Sequence, residues 1–298
     1  MKPMHRTKWF GILALTAIAT ASQDPLLIRR ELKAGATEKY VVESVVKQNI
    51  EIPSMGEQDM IITTVGSIIL KTGEVNSEKG TAAVETTTKI EKMSMDGSLA
   101  SMMGGANEQK LPDPKVEKGT LDSRNRLVLA VDPKAKTPGG MMGMGMPGMG
   151  SVGAAGLLNL IELPEKAIKI GDEIEVAMPG AAGAATMGAK DFKLKVKFVG
   201  EKEVEGGKAW VVSFSGNVKI DIDTAKMPKQ PNQPDNPMGD MKISGTVLIS
   251  GEGLVDKLSG RTLSNIMNMK TDMKVFVEAA GMEIPSKGTI TMKLELAK

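Results

Sequence analysis

The sequence predicts an all-β protein with little helix: a long, curved antiparallel sheet or open barrel, built either as two related halves or as one domain. Three observations carry this expectation. Apolar and polar residues alternate with a period of two over most of the chain, as in strands with one covered face. Each run pairs an apolar parity with a charged or hydroxyl parity, the mark of antiparallel sheets rather than of parallel ones buried on both sides. The runs are also longer than the roughly five or six residues of an ordinary strand, which asks for strong curvature.

The chain opens with Lys2, His5, Arg6 and Lys8, then an apolar run from Trp9 to Ala19, then Ala19-Thr20-Ala21 before Ser22. A basic start, a short apolar middle and a small-x-small site form a secretory signal peptide over residues 1–21. The apolar run is shorter than the roughly 20 residues that span a bilayer. The expectation is an exported protein, periplasmic or extracellular, with no stable membrane anchor after cleavage. Without Lys2, Arg6 and Lys8 the formal charge of +2 becomes −1. A near-neutral chain has no electrostatic footprint for nucleic acid.

Residues 22–132 make a first β-rich half. Tyr40 to Ile52, Met60 to Leu70 and Thr81 to Met95 read as long strands. Val84 and Ile90 share a parity that Met93 and Met95 leave, so a bulge is expected near Lys92. Ser98 to Met103 adds one helical turn, Leu111-Pro112-Asp113-Pro114 a loop, and Leu127, Leu129 and Val131 a short strand. Residues 133–156 form a flexible glycine and methionine linker, PGGMMGMGMPGMGSVGAAG over residues 138–156.

Residues 157–298 make the second half. Leu157, Leu158, Leu160 and Ile161 have the spacing of a short helix ending before Pro164. Phe192, Leu194, Val196 and Phe198 alternate with Lys193, Lys195 and Lys197. Gly206-Gly207 favours a hairpin with a primed turn, leading into an arm where Trp210, Val212, Phe214, Val218, Ile220 and Ile222 share one face. Lys226 to Asp240, with four prolines, is an exposed connection. Ile243, Val247 and Ile249, then Met267, Met269, Met273 and Val275, then Ile290, Met292 and Leu294 mark three further strands, with a turn at Ser259-Gly260. Lys33-x-Gly35 with Thr37, Lys39 and Val41 matches Lys169-x-Gly171 with Glu173, Glu175 and Ala177, a short internal repeat that opens each half.

Three segments also carry a family resemblance: Leu163-Pro164-Glu165-Lys166-Ala167-Ile168-Lys169-Ile170-Gly171-Asp172, the hairpin Val204 to Lys208, and GEGLVDKLSGR from Gly251 to Arg261. Over 157–298 the chain resembles an uncharacterised (domain of unknown function) family of exported bacterial β-rich proteins. Glu173 stands where members carry an aromatic residue, and the lipobox cysteine common among them is absent. The resemblance implies a curved antiparallel sheet, similar in outline to periplasmic lipid or lipoprotein carriers, and brings no catalytic residues.

The chemistry available is narrow. The chain has no cysteine and its one histidine is His5, so Ser-His and Cys-His catalysis are unavailable to the mature chain. Ser213 and Ser215 lack such a base, and no pair of carboxylates has a context for acid–base work. Asp221, Asp223 and Asp240 match no calcium-loop spacing and fit a solvated strand face. The protein is expected to be no enzyme and to hold no cofactor. Its expected role is to bind an apolar or macromolecular partner, a hydrophobic ligand or a cell-envelope component, and the methionines Met267, Met269 and Met273 suit either such a ligand or plain core filling. The alternative is an extracytoplasmic Cu(I) protein using Met141, Met142, Met144, Met146 and Met149, since thioethers are soft ligands. Anaerobic Cu(I) competition on the wild type and on a 141–149 deletion separates the two: a Cu(I) protein loses its affinity with the deletion, whereas equal affinities would sink that alternative.

Overall fold

A computed structural model describes residues 25–53, 55–102, 111–130, 161–177, 193–226 and 240–297. The expected signal segment 1–21, the expected linker 133–156, residues 157–160 of the expected helix and most of the proline-rich stretch 226–240 lie outside them.

Eleven antiparallel strands form one open sheet. They are β1 (Thr37–Ile52), β2 (Gly56–Asn76), β3 (Thr81–Asp96), β4 (Lys115–Asp122), β5 (Leu127–Leu129), β6 (Glu173–Ala177), β7 (Lys193–Val204), β8 (Gly207–Asp223), β9 (Met241–Asp256), β10 (Thr262–Val277) and β11 (Met282–Leu296). The spatial order is β5-β4-β3-β2-β1-β11-β10-β9-β8-β7-β6. From β1 the chain steps outward to β5 at one edge, resumes at β6 on the opposite edge, and steps inward until β11 pairs with β1, Tyr40 facing Leu296 and Ile50 facing Ser286. The two halves thus share one hydrogen-bonded sheet. The single α-helix among the described residues, α1 (Ser98–Met102), follows β3. The Ser98 N–H and hydroxyl both bond Asp59 Oδ1, at 2.9 and 2.7 Å. These bonds hold the Asp59 carboxyl below its usual pKa.

Alternation becomes burial as expected. On β7, Leu194, Val196 and Phe198 are buried while Lys193, Lys195 and Lys197 are exposed. On β8, Trp210, Val212, Phe214, Val218, Ile220 and Ile222 are all buried. The bulge near Lys92 is present: Val65 faces Lys92 and Gly66 faces Ile90, leaving Glu91 as the extra residue. The two repeat motifs make the same turn. Gly35 and Gly171 both take positive φ, and their N–H groups donate to Thr72 O and Phe198 O at 2.8 Å, each on the strand that pairs with the one about to begin.

Two details differ from the sequence reading. The β7–β8 turn runs over Glu205-Gly206, with Val204 facing Gly207, and Gly206 alone of the pair has positive φ. That pattern is type II-like rather than primed, because the pairing of Glu203 with Lys208 fixes the register one residue earlier. Strand β4 (KVEKGTLD) was not anticipated. Val116 is exposed and Gly119 packs against the β5 backbone, so its two apolar positions of opposite parity leave no alternation to read.

The sheet is strongly curled. On a flat sheet, β4 and β10 would lie five strand spacings apart, about 24 Å. Asn125 in the β4–β5 turn nevertheless donates from Nδ2 to Gly260 O before β10 at 2.9 Å. Inward-facing glycines permit the bend, since a position without Cβ lets neighbours close in. At Gly251 a Cβ would stand 2.2 Å from the Phe214 ring and 2.3 Å from Ile266 O. Gly251→Ala is therefore expected to destabilise the fold by about 1–3 kcal/mol, the range for overpacking. Gly200→Ala, where a Cβ meets nothing within 4 Å, should stay within about 0.5 kcal/mol. Urea melts of the two variants check this, and equal midpoints would refute the packing account.

Candidate functional site: the inner face and its closed end

The buried parity of all strands faces one side, the inner face. Its end near the β2–β3, β4–β5 and β9–β10 turns is closed by two coil segments. Residues Leu26 to Leu32 and Ile161 to Ile170 cross there, joined by reciprocal backbone hydrogen bonds between Leu26 and Ile168 at 2.7 and 2.9 Å. Arg29 is held by the backbone carbonyls of Ile28, Pro164 and Glu165 at 2.6–2.8 Å. Arg124 in the β4–β5 turn pairs with Glu162. Burial raises the Glu162 carboxyl pKa against the opposing pull of Arg124 and Arg126. Where Leu26, Ile28, Ile168, Ile170, Phe198 and Trp210 meet, they leave room for about one water molecule.

At the centre of this closure lies a buried polar cluster. Arg30 Nη2 stands 2.7 Å from both carboxylate oxygens of Glu38. Arg30 Nη1 donates to Asn125 Oδ1 at 2.9 Å. The Tyr40 hydroxyl donates to Glu38 Oε2 at 2.7 Å, with Thr262 O at 3.2 Å beside it. Asn125 holds positive φ, a conformation asparagine tolerates, so that its amide reaches both Arg30 and Gly260. Arg30, Glu38, Tyr40 and Asn125 are all nearly inaccessible to solvent. Burial, and then the neighbouring Glu38 carboxylate, push the Tyr40 phenol far above its ordinary pKa near 10. The cluster is a structural lock with no nucleophile or open face.

Beyond the lock the inner face runs toward the β1–β2 turn in rows set by the pairing register. One row reads Met95, Ile62, Val46, Ile290, Met269 and Ile249 across β3, β2, β1, β11, β10 and β9. The row nearer the lock reads Met93, Thr64, Ser44, Met292, Met267 and Gly251 over the same strands. Every strand methionine among the described residues falls on this face: Met60, Met93, Met95, Met241, Met267, Met269, Met273, Met282 and Met292. Met267, Met269, Met273 and Met292 are buried, while Met60, Met93 and Met95 are half-buried. The opposite face carries charge: Lys274 pairs with Glu283 at 2.9 Å and Lys293 with Glu295 at 3.0 Å.

The anticipated Met267, Met269 and Met273 thus lie together on the inner face. Met141, Met142, Met144, Met146 and Met149 lie outside the described residues. Asp221, Ser213 and Ser215 sit on the outer parity of β8, and Asp240 precedes β9. Among the described residues no three His, Cys, Asp or Glu side chains gather to share a cation, and no helix is long and apolar enough to cross a membrane. Met60, Met93, Met95 and Met292 join Met267 and Met269 only through pairings between distant strands, the β1–β11 pairing above all, which alternation within one strand does not reveal. The lock has no local signature either, because Arg30, Glu38 and Tyr40 are completed by the distant Asn125 and Thr262.

No family model and no curated protein matches the chain. Among solved structures it is similar to one describing lipid–protein interactions in lipovitellin, at 11% identity and a TM-score of 0.43, over 90% of this chain and 26% of that one. The chain spans about a quarter of that protein's length, and so loose a likeness does not assign a ligand.

The lock makes a direct prediction. The chain has a single tyrosine, so phenolate absorbance reports Tyr40 alone. Because the folded pKa is raised, the stability it confers is complete below pH 10 and is lost as pH rises above it, by about 1.4 kcal/mol per pH unit. Phenolate absorbance should therefore appear together with loss of circular dichroism. Ionisation near pH 10 in a folded protein would show that Tyr40 is not locked.

Proposed function

We propose that this is an exported, non-catalytic β protein that binds an apolar ligand on its inner face. The observation that carries the reading is the placement of nine strand methionines on one face of a single curled sheet. A sheet's apolar face must be covered by something. At one end the coil segments cover it. Toward the β1–β2 turn, Val46, Ile50, Met60, Ile62, Met93 and Met95 are half-buried. Methionine there suits a ligand of variable shape, because its unbranched, polarizable side chain repacks readily.

The remaining chemistry agrees. A chain with no cysteine and its one histidine at His5 has lost the commonest catalytic tools. The resemblance of 157–298 to exported bacterial β-rich proteins, and the signal-like residues 1–21, support a periplasmic or extracellular site of action beside the cell envelope.

Mass spectrometry of gently purified protein tests export and binding together. The mature chain is expected to begin at Ser22 and to carry co-purifying lipid. In solution it should enhance the fluorescence of diphenylhexatriene, a neutral hydrocarbon. Ile62→Asp should weaken that binding at least tenfold, about 1.4 kcal/mol, with the circular dichroism unchanged. Lys47→Asp, on the outer parity of β1, should leave it unaltered. Equal loss in both variants, or no enhancement by the wild type, would overturn the reading.

A further inference from the structure

The inner face has a feature that apolar packing alone does not require. Between the lock and the β1–β2 turn, β1, β2, β8, β9, β10 and β11 place no Asp, Glu, Lys or Arg on it. Glu38, the charged residue of β1 on this face, is already paired with Arg30. Within this charge-free area the β1–β11 seam is polar. Gln48 faces Gly288, and Gly288 faces Thr271. Gln48 Nε2 donates to Ser286 Oγ at 3.0 Å. Gly288, with no side chain, lets them approach closely: a Cβ there would stand 3.0 Å from Thr271 Oγ1 and 3.0 Å from Lys47 O. An amide and two hydroxyls therefore gather at this seam, with apolar rows on the side toward the lock.

Resting on the apolar-ligand reading above, we infer that the ligand is an uncharged lipid, and that its hydroxyl or ester oxygen is met at this seam by half-buried Gln48 and its neighbours Ser286 and Thr271. An anionic or cationic head drawn onto this face would lose its hydration and find no counter-charge on these six strands, a penalty far larger than that of a neutral oxygen given hydrogen-bond partners. Amide and hydroxyl groups, which both donate and accept, suit an alcohol or an ester. The hydrocarbon then lies along the half-buried Val46, Ile62 and Met95 of the neighbouring row.

Three ligands with one twelve-carbon chain and different heads test this on the full mature protein: 1-monolaurin, laurate at about pH 8, where its carboxyl is ionised, and dodecyltrimethylammonium. Each is titrated below its aggregation threshold by displacement of diphenylhexatriene. Monolaurin is expected to bind at least tenfold more tightly than either ion. The near-isosteric double variant Gln48→Leu/Thr271→Val should lose most of that preference while holding diphenylhexatriene as the wild type does. Comparable affinities for the three heads, or an unchanged preference in the double variant, would overturn the inference and leave the apolar reading standing. Failure of the wild type to take up diphenylhexatriene would overturn both. Wild-type-like hydrocarbon binding by the double variant also shows that it has folded.

Discussion

The curled sheet is held at one end by the contact between Arg30 and Glu38. The guanidinium comes from a coil segment and the carboxylate from the first long strand. The same guanidinium reaches Asn125, whose amide reaches Gly260. One ion pair thus gathers the coil segment Leu26 to Leu32, β1, the β4–β5 turn and the β9–β10 turn. A buried pair of this kind is weak as a source of net stability, because desolvation offsets most of the attraction. Its strength is geometric. Removing one partner would leave the other charge buried and uncompensated, at a cost of about 3–5 kcal/mol. Arrangements that separate these four elements are excluded, and the bend in the sheet follows.

That bend gives the inner face its character. With only eight aromatic residues counted over Phe, Trp and Tyr, volume is filled by aliphatic side chains and methionine. Glycines at Gly66, Gly216, Gly245, Gly251, Gly253 and Gly288 alternate with them in the cross-strand rows. Large side chains lean over small positions, as Phe214 does over Gly251 and Ile161 over Gly253. The packing is close near the lock and looser toward the β1–β2 turn, where β1 passes from alternately buried to half-buried side chains.

The strands with clean alternation were legible because period-two patterning is a local property. Leu194, Val196 and Phe198 against three lysines could hardly fold otherwise. The bulge at Glu91 was legible for the same reason, as a slip in parity. Strand β4 was not, because with Val116 outward, Gly119 against the β5 backbone and only Leu121 buried it has no apolar alternation to reveal. The lock was invisible because Arg30, Glu38, Asn125 and Thr262 look like surface residues one by one, and only tertiary proximity makes them a buried set. The methionine face was half legible. Met267, Met269 and Met273 share a strand, but their partners Met60, Met93, Met95 and Met292 join them through pairings between distant segments. The glycine and methionine tract, the most conspicuous compositional feature, lies outside the described residues.

The pairing of β1 with β11 has a consequence for how the chain can be made. Synthesis delivers β1 early and β11 last of the eleven strands, yet each needs the other to complete its ladder. Tyr40 waits for Leu296, and every strand between them is present before the seam can be zipped. Contacts this distant in sequence are slow to form. Until then β1 holds an unpaired long edge beside an uncovered apolar face, the kind of surface that invites association with other chains. The hazardous interval therefore runs from the emergence of β1 until β11 has paired with it.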